Sequence, residues 1–237
     1  MSHQSILRIT RELSDLQKGN DLSLAVTYDD SDIRNIKALV VGPPGTPYEF
    51  GFFELSVKFP EGNYPASPPK VTALTTNSGR CRFAPNIYAS GKVCLSILGT
   101  WQGERGEEWS SAQGLESVLI SIQSLMSSNP YENEPGYEAA TDDPKTQRDM
   151  ADYIAKIKHE TIRLAVLQPL EESLRIAAGS KTETSEGDFA VEDNEEGRES
   201  YQSFDDLRKR RFLWYFDSYM HTIDVESGKV EKGQLFQ

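Results

Sequence analysis

What the chain has little of narrows its possibilities first. It carries two cysteines and three histidines in 237 residues. Cys81 and Cys94 lack CxxC spacing and neighbouring histidines, so neither a disulfide scaffold nor structural zinc is expected, and no metal site is assigned. No apolar run reaches the roughly 20 residues needed to span a membrane. The N-terminal stretch interleaves Arg8, Arg11 and Glu12 with apolar positions and does not read as a secretory leader, so a cytoplasmic or nuclear protein is expected. Positive charge is also short. The 37 acids outnumber 25 bases, for a net charge of −12 and a pI near 4.8. A field of that sign repels nucleic acid and anionic membrane and favours basic partners.

Half of the excess charge sits in one stretch. Between Ser180 and Ser200 lie eight acids and two bases, net 2 − 8 = −6, with Phe189 and Val191 as the sizeable apolar groups. Such a segment buries too little surface to order itself, and a solvated linker is expected there. No internal repeat is visible.

The rest of the chain shows alternating signals. Ile6, Leu7, Ile9, Leu13 and Leu16 with intervening charges predict an amphipathic helix ending at Gly19-Asn20. Strand patterns follow over Leu22–Tyr28, Ile33–Val41, Phe53–Phe59 and Val71–Thr75, with turn residues between them, which suggests an antiparallel meander rather than βαβ units. From Asn77 to Glu108 periodicity vanishes, yet Phe83, Ile87, Val93, Leu95, Ile97, Leu98 and Trp101 are too many apolar groups for a disordered loop. Ordered irregular segments are where sites are usually assembled. Ser110 and Gln113 suggest a capping box for a buried helix carrying Leu115, Val118, Leu119, Ile122, Leu125 and Met126. A further helix is predicted from Asp143-Pro144, stopping before Pro169, and a short one over Leu170–Ala178. Phe212, Tyr215, Phe216, Tyr219 and Ile223 form an aromatic stripe on a last helix beside Lys209, Arg210 and Arg211, expected to pack on its own domain, with recruitment of a partner as the alternative.

A thiol is a useful nucleophile only where it is accessible and can ionise. Cys94 lies in the ordered irregular segment, eight residues after Asn86, and is expected at the rim of a shallow groove. Cys81, flanked by Arg80 and Arg82, has no comparable setting and is read as structural or incidental. His3, His159 and His221 all fall outside that segment, so a Cys–His hydrolase, with His159 as the partner, has little to support it. Asn86 can supply a neutral amide donor that stabilises an oxyanion as an acyl group changes hands, which suits transfer to an amine better than hydrolysis.

Phe83-Ala84-Pro85-Asn86-Ile87-Tyr88 followed by Gly91-Lys92-Val93-Cys94-Leu95-Ser96-Ile97-Leu98 resembles the active-site motif of ubiquitin-conjugating enzymes. Gly42-Pro43, Thr46-Pro47-Tyr48-Glu49, Gly51-Phe52-Phe53, Phe59-Pro60, Tyr64-Pro65, Pro68-Pro69-Lys70-Val71 and Trp109-Ser110 occur in the family's order, over about residues 5 to 165. Leu95–Trp101, Asn129–Glu138 and His159–Arg163 are similar to the subgroup containing the Z-type enzyme.

The resemblance implies an α/β (α+β) conjugating core over residues 1–168 with an N-terminal helix, a four-stranded antiparallel meander, an active-site loop and C-terminal helices. A helical extension over 169–237 would carry the acidic linker at about 180–200. It implies ubiquitin or a ubiquitin-like protein held as a thioester on Cys94, received from an activating enzyme and passed to a substrate lysine or a ligase. No cofactor is implied for the chain itself, because ATP is used by the activating enzyme.

By position, Asn86 would be the oxyanion stabiliser or loop-orienting amide, and Glu132, Asn133 and Glu134 stand where the family often places an acid beside the incoming lysine. An alternative reading has these acids cap the next helix. Arg8 and Arg11 match the face that meets the activating enzyme. Ala66 and Ser111 replace larger or proline residues of the ligase-binding surface, and Ala84 replaces the usual histidine. For the Gln102–Glu108 insertion two readings stand, a plain surface loop and an influence on which lysines approach. A non-enzymatic ubiquitin-binding scaffold of the same fold is the main alternative.

Overall fold

A computed structural model describes residues 3–19, 21–134, 143–178 and 204–229. The acidic stretch 180–200, Asn20 and Pro135–Glu138 lie outside the described residues.

The chain opens with α1 (His3–Lys18), whose Ile9 and Leu13 are fully buried, as the helical spacing predicts. Four strands follow: β1 (Leu24–Asp29), β2 (Asp32–Val41), β3 (Phe52–Lys58) and β4 (Lys70–Ala73). They pair antiparallel in sequence order, which is the meander expected from their short connections. One face of the sheet sends Ala38, Val40, Phe53, Leu55 and Val57 into the main core, against Ile9, Leu13, Leu115, Leu119 and Ile157. The other face is also covered. Leu39, Val41 and Phe52 form a second cluster with Val166, Phe204 and Tyr219. Burial on both sides explains why β2 ends in an unbroken Ala38-Leu39-Val40-Val41 run rather than an alternation.

α2 (Leu115–Ser124) is buried through Leu115, Val118, Leu119 and Ile122. Its start differs from expectation. Ser110 and Gln113 close a turn ahead of the helix, with the Gln113 backbone N–H donating to Ser110 O (3.0 Å) and the Ser110 N–H to Gln113 Oε1 (2.8 Å). The cap comes instead from α1: Glu12 Oε2 accepts from the Leu115 N–H at 2.8 Å and from the Tyr64 hydroxyl at 2.5 Å, while Arg8 binds the other oxygen. A carboxylate at a helix N-terminus satisfies an orphan N–H and favours the dipole. The N-cap is Gly114, and a Cβ there would stand 2.9 Å from Glu12 Cδ, so the helix end can approach α1 this closely because Gly114 lacks one.

α3 (Pro144–Glu160) is capped by Asp143, which accepts from the Thr146 N–H at 3.0 Å. The expected stop before Pro169 does not occur. A π-helical segment, Thr161–Leu167, leads directly into α4 (Gln168–Ala177). The Gln168 N–H bonds back five residues to Arg163 O, and Pro169 falls in the first positions of α4, where its missing N–H is tolerated.

α5 (Asp205–Ser227) lies on the outer face of the sheet. Tyr215 stacks on Phe50 with centroids 3.9 Å apart, and the Tyr219 hydroxyl donates to Phe50 O at 2.8 Å. The aromatic stripe therefore packs on its own chain in part, while Phe216 and Ile223 lie on the helix's exposed flank with Leu213 and Trp214. Arg208, 1% exposed, forms an ion pair with Glu54 in the middle of β3. Burial lowers the Arg208 pKa to about 10, so the guanidinium stays charged at neutral pH. Removing one partner of such a pair costs ~3–5 kcal/mol. No described helix is long and apolar enough to cross a membrane.

Candidate active site

The eight-residue spacing from Asn86 to Cys94 is that of a small hairpin. Ile87 bridges Val93, the Tyr88 N–H donates to Lys92 O at 2.9 Å, and the Gly91 N–H returns to Tyr88 O at 2.9 Å. Gly91 has φ +85°, and a Cβ there would sit 2.6 Å from Ala73 O, so glycine is required both by the turn and by its docking on β4. The hairpin closes with Asn86 opposite Cys94: the Cys94 N–H donates to Asn86 O at 2.8 Å.

The Asn86 side chain follows. Its Nδ2 is 3.5 Å from Cys94 O, at the limit of a hydrogen bond, and its buried Oδ1 has no hydrogen-bond partner among the described residues. The amide thus sits on the cysteine's side of the hairpin, held loosely enough to turn toward a reacting carbonyl beside the sulfur.

Cys94 itself departs from expectation. The residue is 3% exposed rather than open at a groove rim. Thr100 accounts for much of the tight local fold: its Oγ1 donates to Val93 O at 2.7 Å and accepts from the Leu95 N–H at 3.0 Å, tying down the peptide on both sides of the cysteine. The Gln102–Glu108 insertion folds back on this turn. Ser96 Oγ donates to Glu107 Oε2 at 3.2 Å, and a Cβ on Gly103 would lie 2.5 Å from Ser96 Cβ. Cys94 nevertheless stays outside the main core cluster, whereas Cys81, 7% exposed, belongs to it. Burial pushes the Cys81 thiol up to about 11, consistent with a structural residue.

Ala84, fully buried, is held without an imidazole. The Tyr48 hydroxyl donates to Phe83 O at 2.7 Å and the Arg82 guanidinium to Pro85 O, so its two neighbours are fixed instead. Arg82 also stacks on Tyr88 at 4.4 Å and pairs with Glu134 at 3.2 Å. Sequence reasoning missed Tyr48, Arg82 and Thr100, since their partners are fixed by the fold and carry no motif of their own.

Of the three candidates near the incoming amine, Glu134 alone is tied to the Asn86 loop by these contacts. Glu132 accepts from Asn129 Nδ2 at 2.7 Å, and Asn133 Nδ2 donates to Leu125 O at 3.0 Å just past the end of α2. None of them caps α3, which is Asp143's task.

The partner-face candidates form a second surface. Trp109 Nε1 donates to Pro65 O at 2.8 Å, which joins the loops carrying the exposed Ala66 and Ser111. Arg8 donates to Gln113 O at 2.9 Å and so is largely structural, while Arg11 projects outward with a loose 3.7 Å ion pair to Asp15. His159 lines a groove between α3 and α5 to which no residue of 83–108 contributes, so it is not gathered with Cys94.

Comparison with known proteins agrees with this geometry. The Ubiquitin-conjugating enzyme family profile matches residues 8–160. Ubiquitin-conjugating enzyme E2 Z of Xenopus tropicalis is 48% identical over 170 residues, covering 72% of this chain and 52% of the relative. The Homo sapiens protein of that name is 47% identical over 168 residues, covering 71% and 45%. The chain spans about half the length of these curated relatives. Among solved structures, the E2 domain of a Toxoplasma gondii ubiquitin conjugating enzyme superposes with a TM-score of 0.51 at 29% identity, covering 68% of this chain and 98% of that one.

Proposed function

This chain belongs to the ubiquitin-conjugating enzyme family, and on that premise we propose that it carries ubiquitin or a ubiquitin-like protein as a thioester on Cys94 and passes it to a lysine amine or to a ligase, inside the cell. In the first step the Cys94 sulfur attacks the carbonyl carbon that joins the modifier to a cysteine of the activating enzyme. A new S–C bond forms, the old one breaks, and the departing sulfur takes a proton. ATP is consumed by the activating enzyme, and this chain contributes no cofactor. In the second step an amine nitrogen attacks the same carbon, an amide forms, and the Cys94 thiol is regenerated.

The observation that carries this reading is the pairing of Asn86 with Cys94 across one hairpin. Both transfers pass through an oxyanion beside the sulfur, and an amide donor aimed there is worth ~10²–10³ in rate. Glu134, through its contact with Arg82, is the acid we assign to the approaching ammonium, whose ordinary pKa of about 10.4 leaves it a poor nucleophile until it loses a proton. Arg11, on the helix face that Arg8 anchors to the Gln113 turn, would meet the activating enzyme, and the Ala66–Ser111 surface a ligase. Residues 1–168 would form the conjugating core and 169–237 the extension.

The low exposure of Cys94 favours one competing reading, a ubiquitin-binding scaffold that transfers nothing. Incubation with activating enzyme, ATP and ubiquitin or a ubiquitin-like protein separates the two. Transfer chemistry gives a reductant-sensitive adduct, and Cys94→Ser converts it to a reductant-resistant ester. Absence of any adduct across modifiers and activating enzymes, with noncovalent binding retained, would establish the scaffold.

A further inference from the structure

Beside the Asn86–Cys94 hairpin, between its base and α3, lies a cleft of about 610 Å³. That volume is within the ~300–1,000 Å³ usual for a ligand site. Among the described residues its charged lining is Arg80, Arg82, Lys156 and Arg163 against Glu134 and Glu160, a local balance of 4 − 2 = +2 in a chain whose total is −12. Arg80, Arg82, Lys156 and Arg163 are exposed, Glu160 is largely covered and the Glu134 side chain is as open as that of Arg82, so cations outnumber acids at the mouth of the cleft. The ion pairs Arg82–Glu134 (3.2 Å) and Arg163–Glu160 (2.6 Å) leave several guanidinium N–H donors uncommitted by geometry. An exposed pair such as Arg82–Glu134 holds its partner weakly.

An aromatic wall completes the cleft. Tyr131 and Tyr153 meet edge to face with centroids 6.0 Å apart. Burial pushes the Tyr153 hydroxyl up to about 12, so it remains a protonated donor at neutral pH. The adjoining groove between α3 and α5 is mixed in sign, adding Asp149, Asp152 and Glu226 against Lys158 and Lys229 among the described residues. Screening confines each charge's reach to ~8 Å at physiological salt, so the local balance decides what enters, not the chain's total.

The cleft also adjoins the hairpin that carries the reaction centre, through Pro85 and Ala89. Pro85, in its lining, precedes Asn86, and Arg82 fixes the Pro85 carbonyl. A peptide bound in the cleft would therefore deliver an adjacent side chain to the hairpin. We propose that this cleft receives an acidic segment of the acceptor protein, with Arg80, Lys156 and Arg163 binding its Asp or Glu carboxylates, and so selects lysines that have acidic neighbours. Guanidinium forks match carboxylates in two-point geometry, and the tyrosine wall accepts the aliphatic stems.

The inference rests on the transfer reading of Cys94, and its test separates the two. Single-turnover discharge of the Cys94 thioester is measured with a glutamate-rich lysine peptide and with its glutamine counterpart, for the wild type and for the Arg80→Glu/Lys156→Glu double variant. That variant turns the local balance to 2 − 4 = −2. The expected result is about a tenfold advantage of the acidic peptide in kcat/KM, carried in KM, weakening as salt rises and lost or inverted in the variant, with charging of Cys94 and discharge to free lysine unchanged. A tenfold ratio corresponds to ~1.4 kcal/mol.

Equal rates for the two peptides in the wild type would overturn the proposal, as would an acidic preference that survives the double reversal. Binding of the fluorescein-labelled acidic peptide to the Cys94→Ala chain, followed by anisotropy, needs no catalysis. If charging fails while this binding persists and is abolished by the reversal, the cleft stands as an acidic-peptide site and the transfer reading falls.

Discussion

Cys81 and Cys94 stand 94 − 81 = 13 positions apart in one irregular segment, and their surroundings differ in kind. Cys81 is part of the main apolar core, its thiol held neutral by desolvation. Cys94 is less exposed still, yet it lies outside that core, in a hairpin whose backbone is tied by Asn86 and by the Thr100 hydroxyl. The lesson is that low exposure has two physical origins. Burial in a core is a property of the whole fold, whereas enclosure by a few polar contacts can be released by rearranging those contacts alone.

Five experiments press on that difference. Cys94→Ala should abolish the thioester adduct completely, while Cys81→Ala should leave charging within a few-fold of wild type, both read on non-reducing gels; the reverse result would exchange the roles of the two thiols. Asn86→Ala should slow aminolysis of the preformed thioester by ~10²-fold at saturating amine, with folding stability little changed.

Alkylation of Cys81 by iodoacetamide should rise about tenfold per pH unit and level off only near pH 11, because the raised pKa keeps its thiol protonated below that. The same shift has a sign for stability: the burial of neutral Cys81 contributes fully below its ordinary thiol pKa and is lost as pH rises from about 9 to 11. A Cys81→Ala chain should therefore show a flatter stability curve over that window in denaturant titrations. The smallest effect is expected from Thr100→Val, which removes the hydroxyl tie on either side of Cys94. It should cost ~1 kcal/mol and speed alkylation of Cys94 several-fold while leaving Cys81 unaffected, as measured by peptide mass mapping.

How much of this was legible beforehand follows the range of the interactions. The meander and α1 could be read because their apolar periodicities are local, and the spacing of Asn86 and Cys94 marked the site because a hairpin fixes it within nine residues. The start of α2 could not, since its cap is Glu12, 103 positions away. Pro169 looked like a stop because the reading assumed α-helical bonding ahead of it, and a π-helical segment changes that rule. Glu54 read as one more outward polar residue in an alternating strand, and nothing near it announced an arginine from the far end of the chain. The enclosure of Cys94 was missed for the same reason: a threonine hydroxyl has no pattern that says which carbonyls it will bind.

The helix laid over the outer sheet makes the far end of the chain an integral wall of the domain. A fragment trimmed at Ala178 would lose Phe204 and Tyr219 from the cluster over Leu39, Val41 and Phe52, and Glu54 would lose its Arg208 partner. Such a fragment would be sticky and weakened, and any partner it captured through that face would be an artefact of the cut, since in the whole chain the same surface is already occupied.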